Sequence, residues 1–489
     1  MTPSLSEFKR LAKQGNLIPC YREFLADTET PVSAYLKVRD KSYSYLLESA
    51  EAGGRWGRYS LIGYKPFLRA ASMGEKMVIT EGNSKVVVED RGNPLHVLRG
   101  LIKKHKPVSV EGLSPFQGGL VGYVNYDLIR KWEYLRGISP GLTGMPESLF
   151  TFSRRLIIFD HLTHRIQVVA FALVEEGGDL DGAYDLISQE INETIGELRD
   201  PLPSSPKNNA CSVFDLESTL NRHEFENLVR KAKDHILAGD VIQVVLSQRF
   251  SGDVLGDDFT LYRNLRSINP SPYMFYLNFG ETKLIGSSPE ILARLTDKRI
   301  ELRPIAGTRP RGKTPEEDLD LEEELMSDPK ERAEHIMLVD LGRNDVGRVA
   351  LPGSVSVPRL MDVERYSHVM HIVSSVEGQL KAELDQFDLF MAAFPAGTVS
   401  GAPKIRAMEI ISELEPTLRG PYAGAVGYFG FDGNMDFCIT IRTITITGSR
   451  LSIQVGAGIV ADSIPGREYE ETMRKAAALL KAIERMNES

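Results

Sequence analysis

Over the first two hundred residues, apolar and polar positions alternate in short runs broken by turn residues. "SAYLKVRD" (33–40), "KMVIT" (76–80) and "SKVVVED" (84–90) each keep a period of two, which predicts half-buried strands. "RRLIIFDHLTHRIQVVAFALV" (154–174) holds two such runs across a polar turn and predicts a hairpin. "RDPLPSSPKNNACS" (199–212) breaks the pattern with Pro, Ser and Asn, as a linker does. Beyond it the period changes. In "NRHEFENLVRKAKDHILAGD" (221–240), Phe225, Leu228, Val229, Ala232 and Ile236 recur at helical spacing, and Gly239 is placed to end the helix. "VIQVVLSQRF" (241–250) returns to β-branched alternation. In "SDPKE" (327–331), Asp328 stands as a helix cap with Pro329 in the first turn. The chain thus divides into residues 1–198, a linker at 199–212, and residues 213–489.

One pattern occurs twice. "GGLVGYVNYD" (118–127) and "AGAVGYFGFD" (423–432) agree at Gly119/Gly424, Val121/Val426, Gly122/Gly427, Tyr123/Tyr428 and Asp127/Asp432. The spacing is too long for a solenoid. It predicts two related halves facing each other.

Length and charge narrow the classes. A chain of 489 residues exceeds one ordinary core, so two domains or one compound domain are expected. A net charge of −9 argues against a general nucleic-acid or membrane-surface binder. The first residues lack the apolar core of a signal peptide. "IQVVAFALV", the most apolar stretch, is too short to span a bilayer as a helix. Cys20, Cys211 and Cys438 are scattered without metal or redox spacing, which suits a reducing cytoplasm.

The candidate chemistry is carried by two Glu-x-x-Glu pairs, Glu331 with Glu334 and Glu468 with Glu471. Residues three apart share a helix face. In the last helix the apolar stripe is Tyr469, Met473, Ala476, Ala477 and Leu480, and Glu468, Glu471 and Lys475 lie nearly opposite. The plain reading is a solvated charged face, and Glu331 also sits where a capping-box Glu belongs. The other reading is a cation between four carboxylates, with oxygen ligands that favour magnesium and an anionic substrate held through it. Two nucleotide motifs fail. "VGAGIVA" is interrupted by Pro465 and Gly466 where a helix must open, and "PAGTVSGAPK" has the wrong spacing for a phosphate loop.

"PIAGTRPRG", "ERAEHIMLVDLGRNDVGRV", "YSHVMHIVSS", "FPAGTVSGAPKIRAMEII", "CITIRT" and "GAGIVADSIPGREYEET" together resemble the chorismate-utilising enzymes, with the nearest likeness to the large subunits of anthranilate synthases. The likeness is dense over 213–489 and looser before it. It implies an α+β fold, a large αββα sandwich of two packed antiparallel sheets with outer helices. It also implies an Mg²⁺-dependent lyase that converts chorismate and ammonia to anthranilate and pyruvate, the first committed step of tryptophan biosynthesis.

Carried over by position, the resemblance makes Glu334 and Glu471 the magnesium ligands, with Glu331 and Glu468 holding metal-bound water. Arg442 and Tyr422 match contacts to the enolpyruvyl carboxylate. Gly307, Thr308, Thr398, Gly456, Ala457, Gly458 and Lys475 complete the chorismate pocket. Glu290 matches the general acid for the departing ring hydroxyl, and His371 the histidine that serves proton removal during pyruvate loss. Gln243 stands where water-adding relatives carry a lysine base, and Ala306 where aminodeoxychorismate synthases often carry a nucleophilic lysine. Ser49, Pro272, Tyr273 and Met274, in "LLES" and "NPSPYMFYL", match a tryptophan feedback site. No cysteine lies in a Gly-x-Cys-x-Gly elbow, so a separate glutamine amidotransferase subunit is implied, in a hetero-oligomer. The alternatives are the aminodeoxychorismate synthase large subunit and a tryptophan-binding sensor without catalysis.

Overall fold

The computed structural model describes all residues except 40–42, 50–56, 91, 115, 137–143, 204–211, 367–368 and 488–489. Most of the expected linker, with Cys211, lies outside the described residues.

Two long strands, Tyr59–Met73 and Ser148–Asp160, pair along nearly their whole length, with a register shift between Pro66 and Leu68. Each contributes one end to each of two antiparallel sheets. The first sheet runs Leu17–Leu25, Arg165–Leu173, the shared pair, Ser44–Glu48, Tyr273–Phe279, Thr282–Ser288, Thr443–Thr447, Arg450–Ile459, Gln243–Leu255 and Ser212–Ser218. The second runs Ser84–Glu89, Lys76–Glu81, the shared pair, Gly119–Val124, Ala425–Gly430, Met435–Ile439, Ile291–Thr296, Arg299–Leu302 and Val369–Gln379. Ile305–Pro310 and Ser356–Arg365 flank this last strand. Strands from before and after the linker therefore mix in both sheets.

Alternation along Tyr273–Phe279 separates the layers. Phe275 and Leu277 join the core between the sheets, while Met274 and Tyr276 face the outer helices. Stacked rings fill the inner core, with Phe387 and Phe429 centroids 4.3 Å apart and Phe429 and Phe437 4.6 Å apart. Each such burial contributes about 1.5–3 kcal/mol. Leu180–Arg199, Phe259–Ile268 and Pro465–Asn487 cover the first sheet; Pro329–Val349 and Gln386–Ala393 cover the second. This is the expected α+β sandwich. Among the described residues no helix is long and apolar enough to cross a membrane.

The hairpin forms as expected, with Arg155↔Ala170 through Asp160↔Arg165 in register. Asn221 and Glu224 make a capping box for Arg222–Leu237. One expected strand is a helix. Residues 33–40 fall largely within Pro31–Val38, where Thr30 and Ser33 form a capping box and Pro31 fixes the first turn. Local capping overrides the period of two, and Ala34, Tyr35 and Val38 are buried on one helical face.

The repeated pattern has a structural meaning. Its two copies are neighbouring strands, paired so that Gly122 lies opposite its equivalent Gly427. Val121 meets Tyr428 and Tyr123 meets Val426, so the seam is locally two-fold. A Cβ at Gly122 would lie 2.0 Å from the Leu149 carbonyl oxygen, and one at Gly427 2.0 Å from that of Asp436. Both positions demand glycine because backbone approaches there.

Candidate active site

Gln243 opens a central strand and is 3% exposed. Its Nε2 donates to Glu334 Oε1 at 3.1 Å, and its Oε1 is buried without a partner among the described residues. Glu334 comes from the helix Pro329–Val349, which begins where Asp328 accepts from the backbone of Lys330 and Glu331. Glu331 is not a capping-box residue. It turns instead toward the Arg309 Nη1, 3.3 Å away. Burial pushes the Glu334 carboxyl above its usual range, the bond from Gln243 opposes this, and Glu331 and Glu471 add to the rise.

Glu471 and Glu468 come from the helix Pro465–Asn487. Lys475 bridges Glu471, at 2.9 Å, and the Gly456 carbonyl, at 3.0 Å, so it fastens this helix to the strand Arg450–Ile459. Burial also raises Glu468, against Lys330, Lys475 and the Ser463 hydroxyl. Glu471 thus bears on Glu334 across the two helices and on Glu468 along its own. Among the described residues no three acidic, His or Cys groups converge closely enough to cage an ion alone. The set suits a hard cation that takes one carboxylate from each helix and completes its shell with water and substrate oxygens, as magnesium does.

The glycines are placed by close approach. A Cβ on Gly458 would sit 2.7 Å from Gln243 Nε2, and one on Gly456 2.5 Å from the Tyr422 hydroxyl. Ala457 turns the other way, into the cluster beneath the helices. Gly307 has a φ of +66°, and a Cβ there would stand 3.2 Å from Glu331 Oε2.

His371 Nδ1 lies 2.9 Å from the Gly307 carbonyl and 3.0 Å from the Thr308 hydroxyl. A carbonyl only accepts, so Nδ1 carries the proton and Nε2 keeps the lone pair in the neutral ring. Burial holds the ring below the usual histidine range, and Arg442 adds to that while the Gly307 bond opposes it. The His371 ring is therefore held toward its neutral form at pH 7.

Glu290 lies in the short link between the strands Thr282–Ser288 and Ile291–Thr296, beside Thr398 and Arg442. Burial raises its carboxyl above the usual range, with Thr398, Arg442 and Lys475 pulling the other way. The Thr398 hydroxyl is buried without a well-formed hydrogen bond, and Arg442 makes no ion pair among the described residues. Arg442 also holds a φ of +49°, a backbone strain of about 1–3 kcal/mol that only surrounding structure can maintain. Here a carboxyl pushed toward its protonated form, a guanidinium and a hydroxyl share one place.

Arg419 secures this floor from below and went unnoticed in the sequence. Its side chain is 1% exposed and pairs with Glu415 at 2.7 Å, while it donates to the Val399 and Val245 carbonyls, both at 2.7 Å. It ties the Thr398 segment to the Gln243 strand.

A separate cavity of about 330 Å³ lies between the sheets, and Ser49, Pro272, Tyr273 and Met274 all line it. The Ser49 hydroxyl is buried without a partner among the described residues, whereas the Met274 side chain packs in the helix-side cluster. Sequence reasoning missed Arg294 and Asp436, which pair at 2.7 Å and both bond the Tyr273 hydroxyl at 2.9 Å. Their spacing along the chain carries no signal, since antiparallel strands bring them together.

A family model described as chorismate binding enzyme matches residues 44–481. Anthranilate synthase component 1 of Acetivibrio thermocellus is 48% identical over 492 residues, covering 99% of both chains. That of Aquifex aeolicus is also 48% identical, covering 99% of this chain and 98% of its own. The crystal structure of anthranilate synthase component I from Streptococcus pneumoniae superposes with a TM-score of 0.77 at 39% identity, over 93% of this chain and 98% of that one. The menaquinone-specific isochorismate synthase of Escherichia coli shares the fold, with a TM-score of 0.72 at 19% identity over 99% of each chain.

Proposed function

The chain belongs to the chorismate-binding enzymes, and from that premise we propose that it converts chorismate and ammonia into anthranilate and pyruvate. The observation that carries the reading is the unbroken set from Gln243 and Glu334 through Glu471, Lys475 and Gly456 to Tyr422, with Glu290 and His371 beside it. Full-length relatives named anthranilate synthase component 1 support the same product. So does Ala306, which offers no nucleophile to the ring.

Mg²⁺, held by Glu334 and Glu471, would supply charge to bind the ring carboxylate. Glu331 and Glu468 would hold water beside it. Arg442 offers a planar fork to the second carboxylate, and Tyr422 a hydroxyl. Ammonia adds at ring carbon 2 as the carbon 4–oxygen bond breaks. Glu290 gives its proton to the departing hydroxyl, which leaves as water. The added nitrogen gives up its extra proton. His371 Nε2 then takes the ring proton at carbon 2 as the carbon 3–oxygen bond breaks and the ring aromatises, and the departing enolpyruvate takes up a proton at its methylene carbon to become pyruvate. The nitrogen comes from a partner glutamine amidotransferase, and the inter-sheet cavity takes tryptophan as feedback inhibitor. The indole suits its apolar wall, and Arg294, Asp436 and Ser49 suit its charged end.

The test is anthranilate fluorescence from the purified chain with chorismate and ammonium across an Mg²⁺ titration. Glu334→Gln and Glu471→Gln should each lower turnover by about 100-fold or more while retaining a cooperative melt. Near-parent rates at limiting Mg²⁺ in either variant would overturn the metal assignment.

A further inference from the structure

The second sheet ends on Ser84–Glu89, which pairs with Lys76–Glu81 on one side and, among the described residues, with no strand on the other. Its register runs unbroken from Glu81↔Ser84 to Lys76↔Glu89, without a bulge. Val86 and Val87 are 51% and 56% exposed, so both faces of the strand meet water. Proteins ordinarily blunt or cover an edge of this kind. The first sheet does so at both ends. Ser212–Ser218 is interrupted by a register shift and by Asp215 at a φ of +51°, and Leu17–Leu25 carries bridges from Thr2 and Pro107.

One bond tells which backbone groups face outward. The Asp90 amide donates to the Glu75 carbonyl at 3.0 Å, so Asp90 turns toward the inner strand. Antiparallel pairs alternate, so Ser84, Val86 and Val88 turn inward with it. Lys85, Val87 and Glu89 therefore hold their N–H and C=O groups toward the open edge. Their side chains share one face, with Val86 and Val88 on the other.

That edge is complementary to itself. Take antiparallel pairing about a two-fold axis at Val87. The outward residues then meet as Val87 with Val87 of the second copy and Lys85 with Glu89 of the second copy, each pair exchanging backbone hydrogen bonds. On the opposite face Val86 meets Val88 of the second copy. Within its own chain Lys85 lies opposite neutral Thr80, so the second copy supplies the carboxylate that its inner neighbour lacks. Moving the axis to Val86 would set Lys85 against Val87, and moving it to Val88 would carry Lys85 beyond the strand. Either shift loses both charge pairs, which fixes the register.

We propose that two copies of this chain associate through Ser84–Glu89, paired antiparallel about Val87 into one sheet continuous across both protomers. The pairing uses the bare backbone groups, covers the exposed valines and closes on itself, so association stops at two. The contact is small, which makes the dimer weak and dependent on concentration. None of these residues belongs to the candidate active site, so the proposal stands apart from the functional reading.

The test is sedimentation velocity of the full chain across roughly 1–100 μM, where a small interface should populate a dimer. Lys85→Glu sets like charges opposite each other twice and should weaken dimerisation by about tenfold or more. Glu89→Lys should do the same. The Lys85→Glu/Glu89→Lys double variant exchanges the two charges and should return to within about threefold of the parent. Val87→Pro removes an outward N–H and spares the inner ladder, so the dissociation constant should rise about tenfold or more while the thermal melt stays cooperative. A parent that stays monomeric across the range would overturn the proposal. So would a dimer indifferent to Lys85→Glu and Val87→Pro, which would sit on another surface. Failure of the double variant to recover would overturn the pairing about Val87, and assembly beyond two copies would overturn its two-fold closure.

Discussion

Replacing Ser49 with Ala should separate tryptophan inhibition from catalysis. In the free protein the Ser49 hydroxyl is buried in the inter-sheet cavity without a partner among the described residues. Removing it relieves an unmet polar group, so the melting temperature should hold or rise. With tryptophan bound, the same hydroxyl meets a charged amino or carboxylate group, a hydrogen bond of about 1.5–3 kcal/mol. At about 1.4 kcal/mol per tenfold, the inhibition constant should rise roughly 10- to 100-fold. Glu290 immediately precedes the strand Ile291–Thr296, whose Ile291, Arg294 and Thr296 line the cavity. Occupation of the cavity can thus bias the acid's position, and coupling must be reciprocal: chorismate should weaken tryptophan binding by the factor that tryptophan weakens chorismate. The assay is ammonium-driven turnover across a tryptophan titration, with calorimetry for binding in the presence and absence of chorismate. An unchanged inhibition constant in Ser49→Ala would refute the site, and an equal loss of uninhibited turnover would show that Ser49 serves the chemistry or the fold.

The acid and the buried floor give two more tests. On the proposed mechanism Glu290 acts while protonated, and its carboxyl is raised by burial, so kcat/KM should fall as pH climbs through that raised value. Glu290→Gln should lose this limb and about 100-fold or more in rate, and a limb that persists in the variant would reassign the acid. Arg419→Ala would leave Glu415, 5% exposed, buried without its cation; urea unfolding should show a loss of about 3–5 kcal/mol, and a loss under about 1 kcal/mol would contradict the role given to the pair.

The candidate residues were legible in the sequence as local patterns, whereas much of the strand pairing was not. The Glu-x-x-Glu pairs advertise themselves because helical spacing puts them on one face whatever lies around them. Glu331 shows the limit: its position in the first turn fits a capping box, yet its carboxylate accepts from Arg309 instead, which no local pattern foretells. The segment 33–40 misled because alternation and a short amphipathic helix look alike over eight residues, and the Thr30–Ser33 box lies at its edge. Arg419, Arg294 and Asp436 gave no signal at all. Their partners are brought by strand register, which no local pattern encodes. The shared strands Tyr59–Met73 and Ser148–Asp160 were also out of reach, since each reads as one strand and serves two sheets.

The seam between Gly119–Val124 and Ala425–Gly430 governs when this protein can finish folding. Gly122 emerges from the ribosome 305 residues (427 − 122) before its partner Gly427. Ser44–Glu48 likewise waits for Tyr273–Phe279. Until then the early strands keep bare hydrogen-bonding edges, which invite pairing with any other nascent chain. Contacts this distant close slowly. The nascent chain should therefore lean on chaperones until the strand Ala425–Gly430 has arrived to pair.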